Sequence, residues 1–568
     1  MSESVSKIVQ VINELTAEGA PFAMTEMTLG DAQYRVYKTI PENVGAYCKM
    51  MLNHADKDFA VYLDERYTFA EAYAHASALA CALQQDLGVS KGDRVAILSR
   101  NNPQWMMSFI AIVSLGAIAV PMNAWWTTEE LEYGITDCGA KVLIADQPRL
   151  DRLAPLQEPL GLTLIGVGEL TPSDLVVHRF DDLVKGHAGS AMPEVDVLPD
   201  DHATIMYTSG STGHPKGALS SHRGIVSALY SWILLGLASR QVGEAGEVGE
   251  ADNSFPPAGL LTVPLFHCTG SHSAFLLSLI VGRKLVIMHK WDAQEALRLI
   301  EHERITWFTG VPTMSAELQA AAAESDRDLS SLKEIYGGGA ARPPAQVEKI
   351  ATTFKKSSPG IGYGLTETNA LGTVNVGQLY RAKPGSAGVP VPAVTDIAIF
   401  DDEDNPVPAG ERGEVVIRSP ANVLGYWNKP DATAEAFRKG WFYTGDVGYL
   451  DDDGFLFIVD RKKEIIIRGG ENISCIEVEA AIYQHPAIHE AAVYGVPDER
   501  LGEAVAASVV AKDGQQLDQD ELTAFLKKHI ASFKVPAHIR IHTDPLPRIA
   551  TGKIFKRQLK SEFNSIAS

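Results

Sequence analysis

Cysteine is scarce: five residues in 568, Cys48, Cys81, Cys138, Cys268 and Cys475, odd in number, far apart and in no Cys-x-x-Cys or Cys/His ligand spacing. That pattern indicates neither a disulfide framework nor a zinc site, so a reducing compartment is the expectation. Basic charge is also short, with 50 Lys and Arg against 71 Asp and Glu and a formal net charge of −21. A broad surface for coating nucleic acid or an anionic bilayer is thereby excluded, although a local basic site is not. An unbroken membrane-length apolar run is missing too. The most apolar stretch, 108–126, contains Gly116, Pro121 and Asn123, and reads as a buried helix running into a strand. The start, Met1-Ser-Glu-Ser-Val-Ser-Lys7, lacks the basic-then-apolar order of a secretory signal. These absences together predict a cytoplasmic protein without an integral membrane segment or a nucleic-acid partner, monomeric or homodimeric.

What is present is ordinary globular composition, 45% apolar and 21% charged, over a length of three to four domain equivalents at ~150 residues each. Between Tyr67 and Leu150 helical runs (FAEAYAHASALACALQQDLG, PQWMMSFIAIVSLG, TTEELEYGITDCG) alternate with short apolar segments (RVAILSR, AIAVPMN, KVLIAD). Apolar segments spaced by helices of this length indicate βαβ units around a buried parallel sheet. The rhythm returns between Leu260 and Gly362. From about Asp396 it gives way to short strands and turn-rich spacers such as DDEDNPVPAGERG, a small β-rich part. After Asp460 a charged stretch, RKKEIIIRGGENIS, leads into a compact α+β pattern. The fold class expected is α/β: an N-terminal body over 1–460 made of two βαβ-type subdomains and a β-rich part at about 396–460. A mobile α+β domain follows over 461–568, with its boundary at about 460–463. The acidic, Gly-rich segment 243–253 reads as a solvated surface loop.

Chemistry is concentrated in a few segments. Tyr207-Thr-Ser-Gly-Ser-Thr-Gly-His-Pro-Lys-Gly217 follows the apolar run ATIMY, so a strand feeds a loop whose backbone N–H groups can approach a polyanion. It is not a Walker A loop, because Gly217 rather than Ser or Thr follows Lys216. Further segments share its order along the chain: PLFHCTG (264–270), YGGGAA (336–341), YGLTET (363–368), YTGD (443–446), DRKKE (460–464), RGGEN (468–472) and PRIATGK (547–553). In wording and order these resemble the motifs of the adenylate-forming superfamily, which contains acyl-CoA synthetases, the adenylation domains of peptide synthetases, and firefly luciferase. The resemblance runs from about Tyr67 to Leu559.

The resemblance implies an ATP-dependent acyl-CoA ligase. Carboxylate and ATP give acyl-adenylate and pyrophosphate, and CoA then gives acyl-CoA and AMP. It assigns Thr208, Ser209, Gly210, Ser211, Thr212, Gly213 and Lys216 to the phosphates of ATP. Tyr363, Gly364, Gly338, Gly339, Ala340 and Ala341 are placed along adenine, where a flat ring can stack and small residues admit the base. Asp446 and Arg461 are placed at the ribose. Thr366 would bond the α-phosphate, and Glu367, with Thr208, would hold Mg²⁺, a hard ion that takes few protein oxygens. Lys553 is expected to catalyse adenylation by lowering the repulsion between carboxylate and α-phosphate. Lys463 is expected to be the hinge that exchanges Lys553 for Gly469, Gly470 and Glu471 around the pantetheine arm of CoA. His267 would stand where the acyl pocket meets the pantetheine tunnel, and no catalytic role is expected for Cys268.

The resemblance further implies an acyl pocket lined by parts of 230–233, 267–271, 307–312 and 337–339. Those segments are mainly apolar or small, and Ser271, Ala274 and Phe275 offer no carboxylate for a substrate amine, so a fatty (medium- or long-chain) or aryl acid is favoured over an amino acid. Ser271 occupies the place at which some long-chain members carry a Trp. The alternatives left open are a synthase loading a carrier protein, a luciferase-like oxygenase and a non-catalytic nucleotide-binding regulator.

Overall fold

The computed structural model describes residues 3–171, 175, 177–208, 214–242, 255–340, 342–391, 393–469, 471–549 and 552–567. Ser209 to Gly213, Ala341, Gly470 and the acidic loop at 243–253 lie outside them, as do Ala550 and Thr551 of PRIATGK.

The alternating segments become two sheets, each of mostly parallel strands. The first is centred on Arg94–Leu98, flanked by Ile118–Pro121 and Val142–Asp146. The second takes Ala258–Leu261, Lys284–Ile287, Trp307–Gly310, Glu334–Gly338 and Ser358–Tyr363 in parallel register. Strands such as RVAIL have no polar face because helices cover both sides of a parallel sheet. The helix Pro103–Ser114 shows how the core is seeded. Asn102 accepts the Trp105 N–H at 2.7 Å, and Pro103 occupies the first turn, where its missing N–H costs nothing. Met106, Phe109 and Ile110 on this helix are fully buried, each contributing roughly 1.5–3 kcal/mol. Phe109→Ala would lose about 3–5 kcal/mol through the cavity it leaves. The helix ends at Gly116 (φ +66°) and the chain enters the strand Ile118–Pro121, so the apolar run at 108–126 is a helix and a strand inside the protein. No helix among the described residues is long and apolar enough to cross a membrane.

The β-rich part follows as the strands Asp396–Phe400, Gly413–Arg418, Trp441–Leu450 and Leu456–Arg461. The C-terminal α+β unit carries the strands Ile466–Arg468, Glu471–Ile473, Ile488–Asp498, Gly502–Ala511 and His538–His542. Apolar residues cover both faces of this sheet, Val493 and Val505 packing on one side and Tyr494 and Ala506 on the other. Arg461 is the last residue of the strand Leu456–Arg461, paired with Asp446; the chain then turns at Lys462. The helix Cys475–Ile482 is tied back to that strand: Ser474 Oγ donates to Val459 O at 2.7 Å, and the Cys475 N–H to the buried Asp460 carboxylate. Sequence patterning does not anticipate the helix Glu3–Thr16 or the hairpin Met24–Leu29/Ala32–Tyr37. Ile8 and Ile12 of that helix pack with Leu234, Leu235 and Ala238 of the helix His222–Gln241.

Candidate active site

A single cavity of about 2750 Å³ brings together Thr208, Lys216, His267, Cys268, Gly338, Gly339, Ala340, Tyr363, Gly364, Thr366, Glu367, Asp446, Arg461, Lys463 and Lys553. It opens at the C-terminal ends of the second sheet's parallel strands, where Gly310 pairs with Gly337 and Gly338 with Gly362, the usual side for ligands in open α/β sheets.

Asp446 stands at the centre of one wall. The antiparallel register places it opposite Arg461, whose Nε lies 3.1 Å from Oδ1, and the Tyr363 hydroxyl donates to Oδ2 at 2.7 Å. Burial raises its carboxyl above the usual range, while Arg461 and Tyr363 oppose the shift. Each carboxylate oxygen retains a second acceptor position, so two vicinal hydroxyls could still donate to this group.

Thr366 and Glu367 begin a 3₁₀ turn, Thr366–Thr368, that closes on Asn369 in the left-handed region (φ +50°). A buried polar network fixes this turn. Asn369 Oδ1 accepts from Ser220 Oγ at 2.9 Å and from His272 Nε2 at 3.1 Å, and Asn369 Nδ2 donates to Ala421 O at 2.8 Å. Oδ1 can only accept, so His272 carries its proton on Nε2 and presents Nδ1 to Ser271 Oγ at 2.8 Å. Burial raises the Cys268 thiol to about 11, leaving a protonated side chain with no nucleophilic character at neutral pH. Glu367 accepts from the Tyr426 hydroxyl at 2.8 Å, and Lys216 Nζ sits 4.7 Å from the centre of the Tyr426 ring. Tyr426 therefore contacts both Glu367, the candidate metal ligand, and Lys216. Sequence reasoning missed it because a Tyr between Gly425 and Trp427 carries no distinguishing spacing. The Thr208 N–H donates to Lys216 O at 2.9 Å.

Among the described residues no cluster of three His, Cys, Asp or Glu side chains could hold a metal by itself. One oxygen of Glu367 accepts from Tyr426, and Glu367 and Thr208 line the same cavity. This sparse oxygen set fits Mg²⁺, which completes its octahedron with phosphate oxygens and water.

Lys553, from the C-terminal unit, lines the cavity. The Ile549 N–H donates to Lys553 O at 2.9 Å, and Arg548 donates to Gly552 O at 2.6 Å while pairing with the buried Glu490 at 2.6 Å. Its aminobutyl chain passes Gly339: a Cβ at that glycine would lie 3.2 Å from Lys553 Cε. Burial and the Arg461 charge hold the ammonium below the ordinary lysine value, with Asp446 opposing. Lys553 forms no salt bridge among the described residues, which leaves its charge available to a bound anion.

His267 is neutral: burial and the nearby Lys553 push it down to about 3, and its Nε2 is buried without a hydrogen-bond partner. Gly469 and Glu471 are exposed on the Ile466–Arg468/Glu471–Ile473 hairpin, outside the cavity, and this arrangement does not bring them to the site. Lys463 is exposed in the turn after Arg461.

Parts of the expected acyl wall differ. Tyr230 packs with Phe22, Tyr37 and Tyr47, away from the cavity. Thr269–Leu276 is a π-helix, in which the Leu277 N–H reaches His272 O. That i→i+5 register buries Ser271, Ala274 and Phe275 and sends Ser273 and Leu277 to the cavity instead. Gly270 is required there, since a Cβ would fall 2.1 Å from Pro264 O.

The family model for AMP-binding enzymes matches residues 50–427, and that for the AMP-binding enzyme C-terminal domain matches 477–553. Feruloyl-CoA synthase of Amycolatopsis sp. is 36% identical over 498 residues, 87% of this chain and 94% of that protein. The long-chain-fatty-acid–CoA ligase of Bacillus subtilis (strain 168) is 34% identical, covering 89% and 92%. Among solved structures, o-succinylbenzoate CoA synthetase from Bacillus subtilis, in complex with its acyl-adenylate intermediate, superposes with a TM-score of 0.76 at 29% identity, covering 90% of this chain and 97% of that one.

Proposed function

The chain belongs to the AMP-binding enzyme family, and we propose on that premise that it is an AMP-forming ligase joining a carboxylic acid to coenzyme A with consumption of ATP. Its named relatives act on an aryl acid and on long-chain fatty acids, and the cavity's apolar and small lining suits the same broad class.

One observation carries the reading further: an ammonium without a salt bridge, Lys553, stands at Gly339 within electrostatic reach of Asp446. In the first half-reaction a carboxylate oxygen attacks the α-phosphorus and pyrophosphate leaves. Two anions must approach, and a cation touching both lowers that barrier where charge develops. In this reading Asp446 accepts the ribose hydroxyls, held by Arg461 and Tyr363. Tyr363 and the small residues 338–340 flank the base, and Thr366 with Lys216 meets the phosphates. Thr208 and Glu367 would hold Mg²⁺, which neutralises phosphate charge when bound. His267, being neutral, shapes the passage between acid and thiol rather than moving a proton.

The second half-reaction needs the thiol sulfur to reach the adenylate carbonyl, forming the thioester and releasing AMP. Lys553 occupies the cavity while Gly469 and Glu471 face solvent, so this arrangement serves adenylation. Rotation of the C-terminal domain about Lys463 would exchange the two surfaces. Acid-dependent pyrophosphate release, measured over fatty and aryl acids with and without CoA, tests the function. The reading requires pyrophosphate with a subset of acids and AMP with thioester once CoA is added. ADP and phosphate as products would contradict it.

A further inference from the structure

Away from Lys553 the cavity continues along one face of the second sheet. Strand alternation puts Trp307 and Thr309, and Glu334, Tyr336 and Gly338, on this face, while Phe308 and Ile335 point into the opposite core. The four steps along the strand from Gly338 back to Glu334 give the passage a length of about 13 Å.

Its far end holds two charged groups that do not satisfy each other. Arg283 follows the turn at Gly282 and lies over the Trp307 ring, 4.5 Å from its centre, with Nη1 buried and without a hydrogen-bond partner. Glu334 lines the same end of the passage. Among the described residues neither side chain forms a salt bridge or a side-chain hydrogen bond, although each feels the other's charge and that of Arg240. Burial raises the Glu334 carboxyl and lowers Arg283, as it does for charged groups that lack close partners. A structural ion pair would have its partners in contact. A donor and an acceptor held apart on the wall of one cavity form the complement of a third group placed between them.

We propose that Arg283 and Glu334 form a subsite for a hydroxyl at the far end of the substrate acid, Arg283 donating to its oxygen and Glu334 accepting its proton. The inference rests on the acyl-CoA ligase reading above. A hydroxyl donates and accepts through one atom. A second carboxylate would meet the Glu334 charge, and a methyl terminus would leave both side chains unsatisfied.

Matched acids of increasing length, in an alkyl and an aryl series, each ending in a hydroxyl, a methyl or a carboxylate, test this through CoA-dependent AMP formation by the full-length wild-type enzyme. At the length that spans the passage, the hydroxy acid is expected to exceed its methyl counterpart by roughly a hundredfold in kcat/KM. Arg283→Met is expected to bring that ratio close to one, and Glu334→Gln to lower it less. Equal use of hydroxyl and methyl acids by the wild-type enzyme would overturn the subsite and leave the ligase reading intact, as would preference for the terminal carboxylate or a ratio unchanged in Arg283→Met. The wild-type comparison decides the matter even if a variant fails to fold. No AMP from any acid would remove both readings.

Discussion

Gly339 and Lys553 approach across the two parts of the chain: a methyl group on the glycine would lie 3.2 Å from Lys553 Cε and 3.7 Å from Nζ. Gly339 also sits at φ +77°, where a side chain costs about 1–2 kcal/mol. Gly339→Ala should therefore slow adenylation by about tenfold or more and lower the melting temperature slightly. Acid-dependent ATP–pyrophosphate exchange and a thermal melt measure the two effects, and an unchanged exchange rate would show that the approach is unimportant.

The adenylation step should have two pH limbs and lack a third. Asp446 is raised above 3.8 by burial, so the charged form needed for nucleotide binding is lost as pH falls through that raised value. Lys553 is lowered from 10.5 by burial and Arg461, so its ammonium, and the adenylation rate, are lost as pH rises through a value below the ordinary lysine range. His267, at about 3, is neutral throughout and adds no limb near 6.5. A limb near that value that disappears in His267→Ala would refute its neutral role.

Tyr426→Phe separates the two duties of this ring, since Phe retains the surface under Lys216 and loses the 2.8 Å bond to Glu367. A hydrogen bond to a charged group contributes about 1.5–3 kcal/mol. The KM for Mg-ATP, titrated at several Mg²⁺ concentrations, should rise by roughly ten- to a hundredfold on that basis. If only the pyrophosphate-leaving rate changes, with Mg²⁺ dependence untouched, Tyr426 acts through Lys216 instead.

Lys463→Pro should fix the turn after Arg461, because proline locks φ near −65° and removes the N–H. Adenylation, to which the proposed reading assigns this arrangement, is expected to persist, and thioester formation from added acyl-adenylate and CoA to be lost. Single-turnover assays of each half-reaction distinguish this from general damage, which would depress both.

The parts of the fold written in periodicity were legible. The alternation from Tyr67 to Leu150 marks the helices Phe69–Gln85, Pro103–Ser114 and Thr128–Cys138 and the strands between them, because parallel strands buried on both faces must be wholly apolar. The residues gathered around the cavity were legible for a different reason: YGLTET, YTGD and PRIATGK stand in the wording and order of the adenylate-forming motifs, and each taken alone would read as an ordinary turn or loop. What stayed hidden depends on tertiary register. Ser271, at the end of the wall segment 267–271 that the resemblance implies, is buried because the segment is a π-helix. Within 230–233, Trp232 and Ile233 line the cavity while Tyr230 joins a ring cluster with Phe22 and with Tyr37 of the N-terminal hairpin, whose patterning is weak. Arg283 and Glu334 come from distant segments that the second sheet brings to one end of the cavity, and Tyr426 acquires meaning only where its strand pairs with Gly217–Ser221 and it meets Glu367 and Lys216.

The central claim is that Lys553 serves the first half-reaction. Lys553→Ala, assayed separately for acyl-adenylate formation from acid and ATP and for thioester formation from supplied acyl-adenylate and CoA, tests it most directly. Adenylation should fall by orders of magnitude while the thioester step changes far less; equal losses in both steps would contradict the assignment.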